Sequence, residues 1–189
     1  MMSGRKECNC SVKEYQKQFC EILNEMICEM TCAQCNNSIS HNMIVQMIPH
    51  HKAAIEMSRN ILQCTRFEPV CEMASNIIEE QTKSICNMEK VFRRCSRHCN
   101  STRARHLYQD RFHLITQRMF SEMKNACVND RIEADFFRQM IPHHQGAIRM
   151  SQNALRFSIC PELIPILKSI IVSQRVEIQK MEYVLQHLC

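Results

Sequence analysis

Turn-forming and aromatic residues are scarce in this chain of 189 residues. It contains two glycines, five prolines, three tyrosines and no tryptophan. A strand-rich fold needs turn signals every few residues, so their scarcity favours long helices. The length is sufficient to bury a hydrophobic core, as one large domain or two small ones. We therefore predict an all-α fold.

Long apolar runs are also missing. No stretch of eighteen apolar residues occurs, so we expect no membrane span and no membrane partner. The N-terminal sequence MMSGRKECNCSVKEYQ lacks the apolar core of a secretory signal. We therefore expect a cytoplasmic location, where cysteine thiols stay reduced.

The formal net charge of +5 is unevenly distributed. Residues 1–95 carry eleven basic and eleven acidic side chains, whereas residues 96–189 carry thirteen and eight. The basic excess is scattered along predicted helices, apart from a short cluster from Arg93 to Arg105. This pattern does not favour a nucleic-acid partner.

An internal repeat organises the chain. A shift of 93 residues aligns its halves without a gap, and the sequence QMIPHH occurs both at Gln46–His51 and at Gln139–His144. Such a long period indicates tandem units rather than a solenoid. We predict a Cys-rich first unit over residues 1–95 and a second unit over residues 96–189, packed together as one compact body.

Each unit is predicted to contain three helices. In the first unit they run from about 11 to 31, from a cap at Ser40 or Asn42 to about Cys64, and onward from Pro69. Asp135 is the corresponding cap candidate in the second unit. Short loops make neighbouring helices antiparallel, so two hairpins should form a four-helix bundle with pseudo-twofold symmetry. The first helix of each unit should pack outside this bundle or across its end.

The Met-Ile-Pro-His-His element is the strongest functional signal. Pro49 and Pro142 fall inside the second helix of each unit, where proline removes a hydrogen bond and kinks the helix. The adjacent histidines flank the apolar face, and methionines follow at helical spacing. Neutral imidazole and thioether sulfur form a soft donor set that suits Cu(I) and not magnesium or calcium.

The predicted ligands of this metal site share imidazole or thioether donors. They are His50, His51, Met47, Met57, His143, His144, Met140, Met150, Met26, Met30, Met119 and Met123. Gln81 and Gln174 lie in the apolar stripe of the third helices, and we expect them to bond the free ring nitrogen of a motif histidine. The alternative is that the histidines are hydrogen-bonded core residues and the methionines only fill space.

Carboxylate di-metal chemistry is not favoured. Di-iron and di-manganese bundles use inward glutamates with Glu-x-x-His pairs, and no Glu-x-x-His occurs in this sequence. The chain also offers no nucleophile constellation and no paired carboxylates of suitable spacing. We therefore expect binding without catalysis.

These motifs resemble the family called domain of unknown function 305, a ferritin-like helical family. The second unit matches best, through Asp135, Phe136, the MIPHHQ sequence at Met140–Gln145, Ala147, Ile148, Met150, Pro161, Glu162, Leu163, Gln174 and Met181. The first unit departs from the pattern, with Asn42, Met43 and Ile44 in place of the acid and aromatic, and Lys52 in place of glutamine. The resemblance implies a ferritin-like bundle, and some members are associated with copper binding and resistance.

Cysteine is concentrated in the first unit, where eleven of the fourteen cysteines lie within residues 1–99. Two clusters form a candidate thiolate site for zinc or Cu(I), with Cys8 and Cys10 as further members. The clusters are Cys28, Cys32 and Cys35, which have helical i, i+4, i+7 spacing, and Cys95, His98 and Cys99 in the linker. The alternatives are buried free cysteines, expected for Cys20 and Cys86, and disulfides if the protein is exported.

The sequence thus predicts a soft-metal binding protein, with Cu(I) binding, storage or homeostasis as its function. A structural or interaction module with buried histidines is the alternative, and a metal-dependent redox enzyme ranks third. The expected partner is a metal ion, and the expected assembly is a monomer with an internal pseudo-dimer or a higher homo-oligomer.

Overall fold

The computed structural model describes residues 10–126 and 131–188, and all regular structure in these ranges is helical. The predicted all-α fold is confirmed. No helix in the described ranges is both long and apolar enough to cross a membrane. In chain order the helices are α1 (Val12–Thr31), α2 (Ile39–Cys64), α3 (Glu68–Cys95), α4 (Thr102–Lys124), α5 (Ile132–Ala154) and α6 (Leu163–Leu188).

Helix α1 begins as predicted, whereas α2 begins earlier than predicted. Ser11 caps α1 by accepting a hydrogen bond from the Glu14 amide. The cap of α2 is Ser38, not Ser40 or Asn42, and its hydroxyl oxygen accepts from the His41 amide at 3.1 Å. The same hydroxyl donates to the Cys95 carbonyl at 2.9 Å. A tertiary contact therefore helps to fix where α2 begins.

The prediction that Asp135 caps α5 is wrong. Helix α5 begins at Ile132, so Asp135 lies within its first turn. The Asp135 side chain is fully buried, and Gln16 of α1 donates a hydrogen bond to its carboxylate at 3.1 Å. Arg138 lies 3.5 Å from the other carboxylate oxygen. Asp135 thus joins α1 to α5 instead of starting a helix.

Four of the helices form the predicted bundle. Helix α2 packs against α3 and α5, and α6 packs against α5 and α3, which closes a ring of four helices. Helix α1 lies outside on α2, and α4 lies outside on α5. This arrangement puts α2 and α5, which carry the MIPHH elements, side by side in the core.

Hydrogen bonds between the outer helices and the bundle come in pairs 93 residues apart. The Asn60 and Asn153 amides donate to the carbonyls of Tyr15 and Tyr108 at 2.9 and 3.0 Å, and the Tyr15 and Tyr108 hydroxyls donate to Gln139 and Gln46 at 3.0 and 3.2 Å. Such repetition is compatible with the predicted pseudo-twofold symmetry. The division into units 1–95 and 96–189 stays a prediction.

The side chain of Met119 on α4 packs tightly against α5 at Gly146. A Cβ atom added there would lie 2.0 Å from the Met119 sulfur and 2.8 Å from its Cγ. The residue 93 positions earlier is Ala53 on α2. Glycine at 146 therefore lets the Met119 side chain lie directly on the helix backbone, close to His143 and His144.

We expect Gly146→Ala to lower stability although alanine is the better helix former. Helix propensity alone would raise the free energy of unfolding by about 1 kcal/mol. Overpacking against Met119 costs about 1–3 kcal/mol, so the net change should be destabilising. Urea unfolding measures the difference. Ala53→Gly is the matched control and should lose only about 1 kcal/mol. A more stable Gly146→Ala protein would show that the contact with Met119 is not tight.

Candidate metal centre

His50 and His143 meet where α2 faces α5. Their rings stack with centroids 3.6 Å apart and planes inclined by 27°. The Nε2 atom of each ring hydrogen-bonds the backbone carbonyl of the other histidine, at 3.2 Å in both directions. Pro49 and Pro142 precede these residues inside their helices, as predicted. The two MIPHH elements therefore form one reciprocal contact in the bundle core.

His51 and His144 turn instead toward the third helix of their own unit. The Nε2 atom of His51 lies 3.0 Å from the Ser84 hydroxyl on α3. The Nε2 atom of His144 lies 2.7 Å from a carboxylate oxygen of Glu177 on α6. Ser84 and Glu177 are themselves 93 residues apart. Each motif thus spans two helix interfaces.

The hydrogen-bond partners fix the tautomer of three of these rings. A carbonyl or carboxylate oxygen only accepts, so the Nε2 atoms of His50, His143 and His144 carry the proton. In a neutral ring the lone pair then lies on Nδ1, which is an atom that binds metals. The Nδ1 atoms of all four motif histidines are buried and have no hydrogen-bond partner in the described structure.

Further unpartnered polar atoms accompany these nitrogens in pairs 93 residues apart. They are the hydroxyl oxygens of Ser58 and Ser151 and the amide oxygens of Gln81 and Gln174. A buried polar atom without a partner costs about 1–3 kcal/mol, and native proteins contain few of them. The predicted bond from Gln81 or Gln174 to a histidine ring nitrogen is not formed in the described residues. These paired atoms make the motif region the candidate ligand site.

The pKa values of three motif histidines are depressed. Burial lowers the pKa of His50 and His143 well below the ordinary value, and the neighbouring histidines lower it further. Burial, followed by the charge effect of His144, lowers the pKa of His51 to about 3. All three rings are therefore neutral at physiological pH, the form that binds a metal.

The predicted methionine ligands all lie in the core, each no more than 1 % exposed. They are Met26, Met30, Met47, Met57, Met119, Met123, Met140 and Met150. Met119 covers α5 at Gly146, and Met26 lies beside Pro49 and Ala53 in a groove of about 420 Å³. Among the described residues, the motif histidines do not bring three ring nitrogens within 4.8 Å of one another. Imidazole nitrogen alone therefore does not close a coordination shell.

Ser84 and Glu177 were not predicted from the sequence. Glu177 is 8 % exposed and follows Gln174 by three residues, so it lies on the same buried face of α6. The sequence signal that could have identified Glu177 is an acidic residue on an otherwise apolar helical stripe. A carboxylate bonded to the far side of a histidine ring is the arrangement that orients metal-binding histidines in proteins.

Two members of the predicted thiolate site, Cys10 and Cys95, are not free thiols. Cys95 forms a disulfide with Cys160, and Cys10 forms one with Cys64. His98 lies 3.1 Å from the Ser158 hydroxyl, while Cys99 is free and exposed. The expectation that these thiols stay reduced is thus wrong for two pairs. Cys8 lies outside the described residues.

Three cysteines at the end of α1 and just beyond it remain as free thiols. Cys28, Cys32 and Cys35 are all exposed, and a hydrogen bond with Cys32 raises the pKa of Cys28. Cys20 and Cys86, which we expected to be buried, are exposed. Cys20 and Cys86 come one position after Phe19 and Ile85, which lie on the inward faces of their helices. Because one residue rotates a helix by about 100°, the cysteine side chains point away from the core.

A sequence profile of the DUF305 family, "Domain of unknown function (DUF305)", matches residues 40–185. The chain belongs to the DUF305 family. The match begins in α2 and ends in α6, so it covers almost all of the bundle and both MIPHH elements. No curated protein matches the chain.

Three solved structures are similar to this DUF305 chain. "CopM in the Ag-bound form" is 27 % identical with a TM-score of 0.58, covering 78 % of this chain and 95 % of its own. A DUF305 fragment from Deinococcus radiodurans is 25 % identical with a TM-score of 0.58, covering 82 % and 98 %. "CopM in the Cu(II)-bound form" is 24 % identical with a TM-score of 0.59, covering 79 % and 97 %.

We expect the metal-free protein to lose stability as the pH falls below about 6.5. The unfolded chain then binds protons that the buried histidines do not accept. Each histidine with a depressed pKa lowers the free energy of unfolding by about 1.4 kcal/mol for every pH unit below this point. His50, His51 and His143 together therefore give a slope of about 4 kcal/mol per pH unit. The slope continues until each ring titrates in the folded state, which for His51 is at about pH 3.

Chemical unfolding between pH 7 and pH 5 measures this slope. His51→Gln should reduce it by about a third, because one of the three groups is removed. His106→Gln is the control, because it makes the same substitution at an exposed position. A slope that is the same in His51→Gln as in the unaltered protein would mean that His51 is not held neutral by burial.

Proposed function

We propose that this protein binds copper in the Cu(I) state and stores or buffers it without catalysis. The observation that carries the proposal is the set of four buried Nδ1 atoms without partners, three of them with the lone pair fixed by an acceptor at Nε2. Neutral imidazole and thioether are soft donors, which favour Cu(I) over hard cations.

The similar structures support a soft metal. The relative at 27 % identity is CopM in a silver-bound form, and silver(I) is a soft monovalent ion like Cu(I). The Cu(II)-bound CopM structure shares the fold. The donor set of this chain agrees with that chemistry, because the motif residues offer thioether sulfur and imidazole nitrogen, and the carboxylate of Glu177 bonds the Nε2 atom of His144.

Motif histidines and methionines together would supply the copper ligands. The imidazoles do not bring three nitrogens together, so we assign the remaining positions to methionine sulfur. The candidates on α2 and α5 are Met47, Met57, Met140 and Met150, and those on the outer helices are Met26, Met30, Met119 and Met123. Ser84 and Glu177 would orient His51 and His144. Bound copper would need protection from water and oxidants, and full burial provides it.

Thiolate binding at the surface is a separate, smaller part of the proposal. Cys28 and Cys32 are one helical turn apart and in contact, and Cys35 follows them. Such a group of free thiols suits Cu(I) or zinc. The cytoplasmic location stays a prediction, and the two disulfides argue against it because such bonds persist mainly in oxidising compartments.

A structural role for the histidines is the second candidate. The reciprocal carbonyl bonds of His50 and His143 join α2 to α5 whether or not a metal is bound. This role explains the hydrogen bonds of the Nε2 atoms, but it does not explain why the four buried Nδ1 atoms have no partner. We therefore rank it below metal binding.

We expect replacement of His50, His51, His143 and His144 by glutamine to weaken Cu(I) binding at least 100-fold. Competition with a chromophoric Cu(I) chelator under anaerobic conditions measures the affinity. The pair His51→Gln and His144→Gln alone keeps the α2–α5 contact and should still lose at least tenfold, so a misfolded quadruple variant does not end the test. His106→Gln with His113→Gln is the control, since both side chains are exposed. Undiminished Cu(I) binding in both motif variants would contradict the proposal and favour a purely structural role for the histidines.

We expect Glu177→Gln to lower Cu(I) affinity about tenfold. Loss of a carboxylate behind a ligating histidine makes the ring a weaker donor, typically by 10–100-fold in affinity. The amide oxygen of glutamine can still accept from Nε2, so the fold should be kept. Glu182→Gln, an exposed position on the same helix, is the control. Equal affinity in the two variants would show that Glu177 does not act through His144.

A further inference from the structure

A second group of donor atoms lies away from the histidines, where the two halves of the chain meet. Cys95 ends α3, and Cys160 lies in the loop before α6. Their side chains are 0 % and 3 % exposed and joined as a disulfide. Together with Glu162, they place two sulfurs and a carboxylate oxygen within 4.8 Å of one another.

The contact between Glu162 and the disulfide is unfavourable as it stands. A carboxylate oxygen of Glu162 lies 3.0 Å from the Cys160 sulfur. A disulfide sulfur has no proton to donate, so two electron-rich atoms face each other. A thiol proton or a metal cation between them would make the contact favourable. The geometry therefore suits the reduced state of the pair.

Arg94 pairs with the carboxylate of Glu162. Its guanidinium lies 2.5 Å from the other carboxylate oxygen of Glu162. One oxygen is thus bonded to Arg94, and the other is directed to sulfur.

The backbone around both cysteines is anchored independently of the S–S bond. The Ser38 hydroxyl donates to the Cys95 carbonyl at 2.9 Å, and the Cys160 amide donates to the Ser40 hydroxyl at 2.9 Å. Both serines lie at the start of α2. Because one rigid segment holds both backbones, reduction of the disulfide leaves the two sulfurs close together.

We propose that Cys95, Cys160 and Glu162 form a zinc site that is available only when the disulfide is reduced. A dithiol reductant supplies two electrons and two protons, so the S–S bond becomes two thiols and the reductant closes to its own disulfide. Zinc(II) then displaces the two thiol protons and is held by two thiolates and one carboxylate. These are ordinary zinc ligands, and three of them leave one position for water.

The chain contains its own control for this site. Cys10 and Cys64 form the other disulfide, and no third metal-binding group accompanies them among the described residues. Reduction of that pair yields two thiols without a carboxylate. The exposed free cysteines are thiols both before and after reduction, so we expect any zinc bound to them to cancel in a comparison of the two states.

The test compares zinc binding by the oxidised protein with binding after treatment with dithiothreitol and anaerobic desalting. Zinc is titrated against a chromophoric chelator, and circular dichroism records helix content. We expect reduction to add one zinc ion per chain in the unaltered protein and in Cys10→Ser with Cys64→Ser. Cys95→Ser should abolish this added zinc, and Glu162→Gln, which leaves the disulfide intact, should weaken it at least tenfold.

Four results would overturn the proposal. Reduction could add no zinc, or the added zinc could persist in Cys95→Ser. The zinc affinity could be unchanged in Glu162→Gln, which would remove the carboxylate from the site. Reduction could also abolish the helical signal of the unaltered protein, which would show that the serine anchors do not hold the two cysteines together and that the disulfide is purely structural.

Discussion

The reciprocal contact between His50 and His143 is the constraint on which the site depends. Each ring donates from Nε2 to the carbonyl of the other residue, so the lone pair of each ring lies on Nδ1. Burial then keeps both rings neutral, because a charged imidazole in the core would have no compensating solvation. Proline precedes each of these histidines inside its helix. The tautomer, the charge state and the helix packing therefore have one common origin.

Much of the fold could be predicted from the sequence because its signals are local. Buried positions such as Tyr15, Phe19 and Met26 recur every three or four residues, and this spacing reports one helical face. The repeat supports these helix assignments further, because the same pattern occurs in both halves of the chain. The bundle of α2, α3, α5 and α6 follows from two antiparallel hairpins that each need a partner.

The remaining features depend on contacts between distant residues, which spacing does not reveal. Ser38 displaces Ser40 as the cap of α2 because its hydroxyl also reaches Cys95, 57 residues away. Glu177 becomes a partner of His144 through the packing of α6 on α5. The disulfide of Cys95 with Cys160 joins residues 65 apart, and the sequence had suggested a local cluster instead. Local spacing thus identified the histidines but not their partners.

X-ray absorption at the copper edge of anaerobically loaded protein tests the central claim most directly. The buried Nδ1 atoms and the surrounding methionines predict a mixed shell of imidazole nitrogen and thioether sulfur. Replacement of His51 and His144 by glutamine should then remove part of the nitrogen contribution. A shell of sulfur alone, at thiolate distances and unchanged in that variant, would place copper on the cysteines and contradict the account.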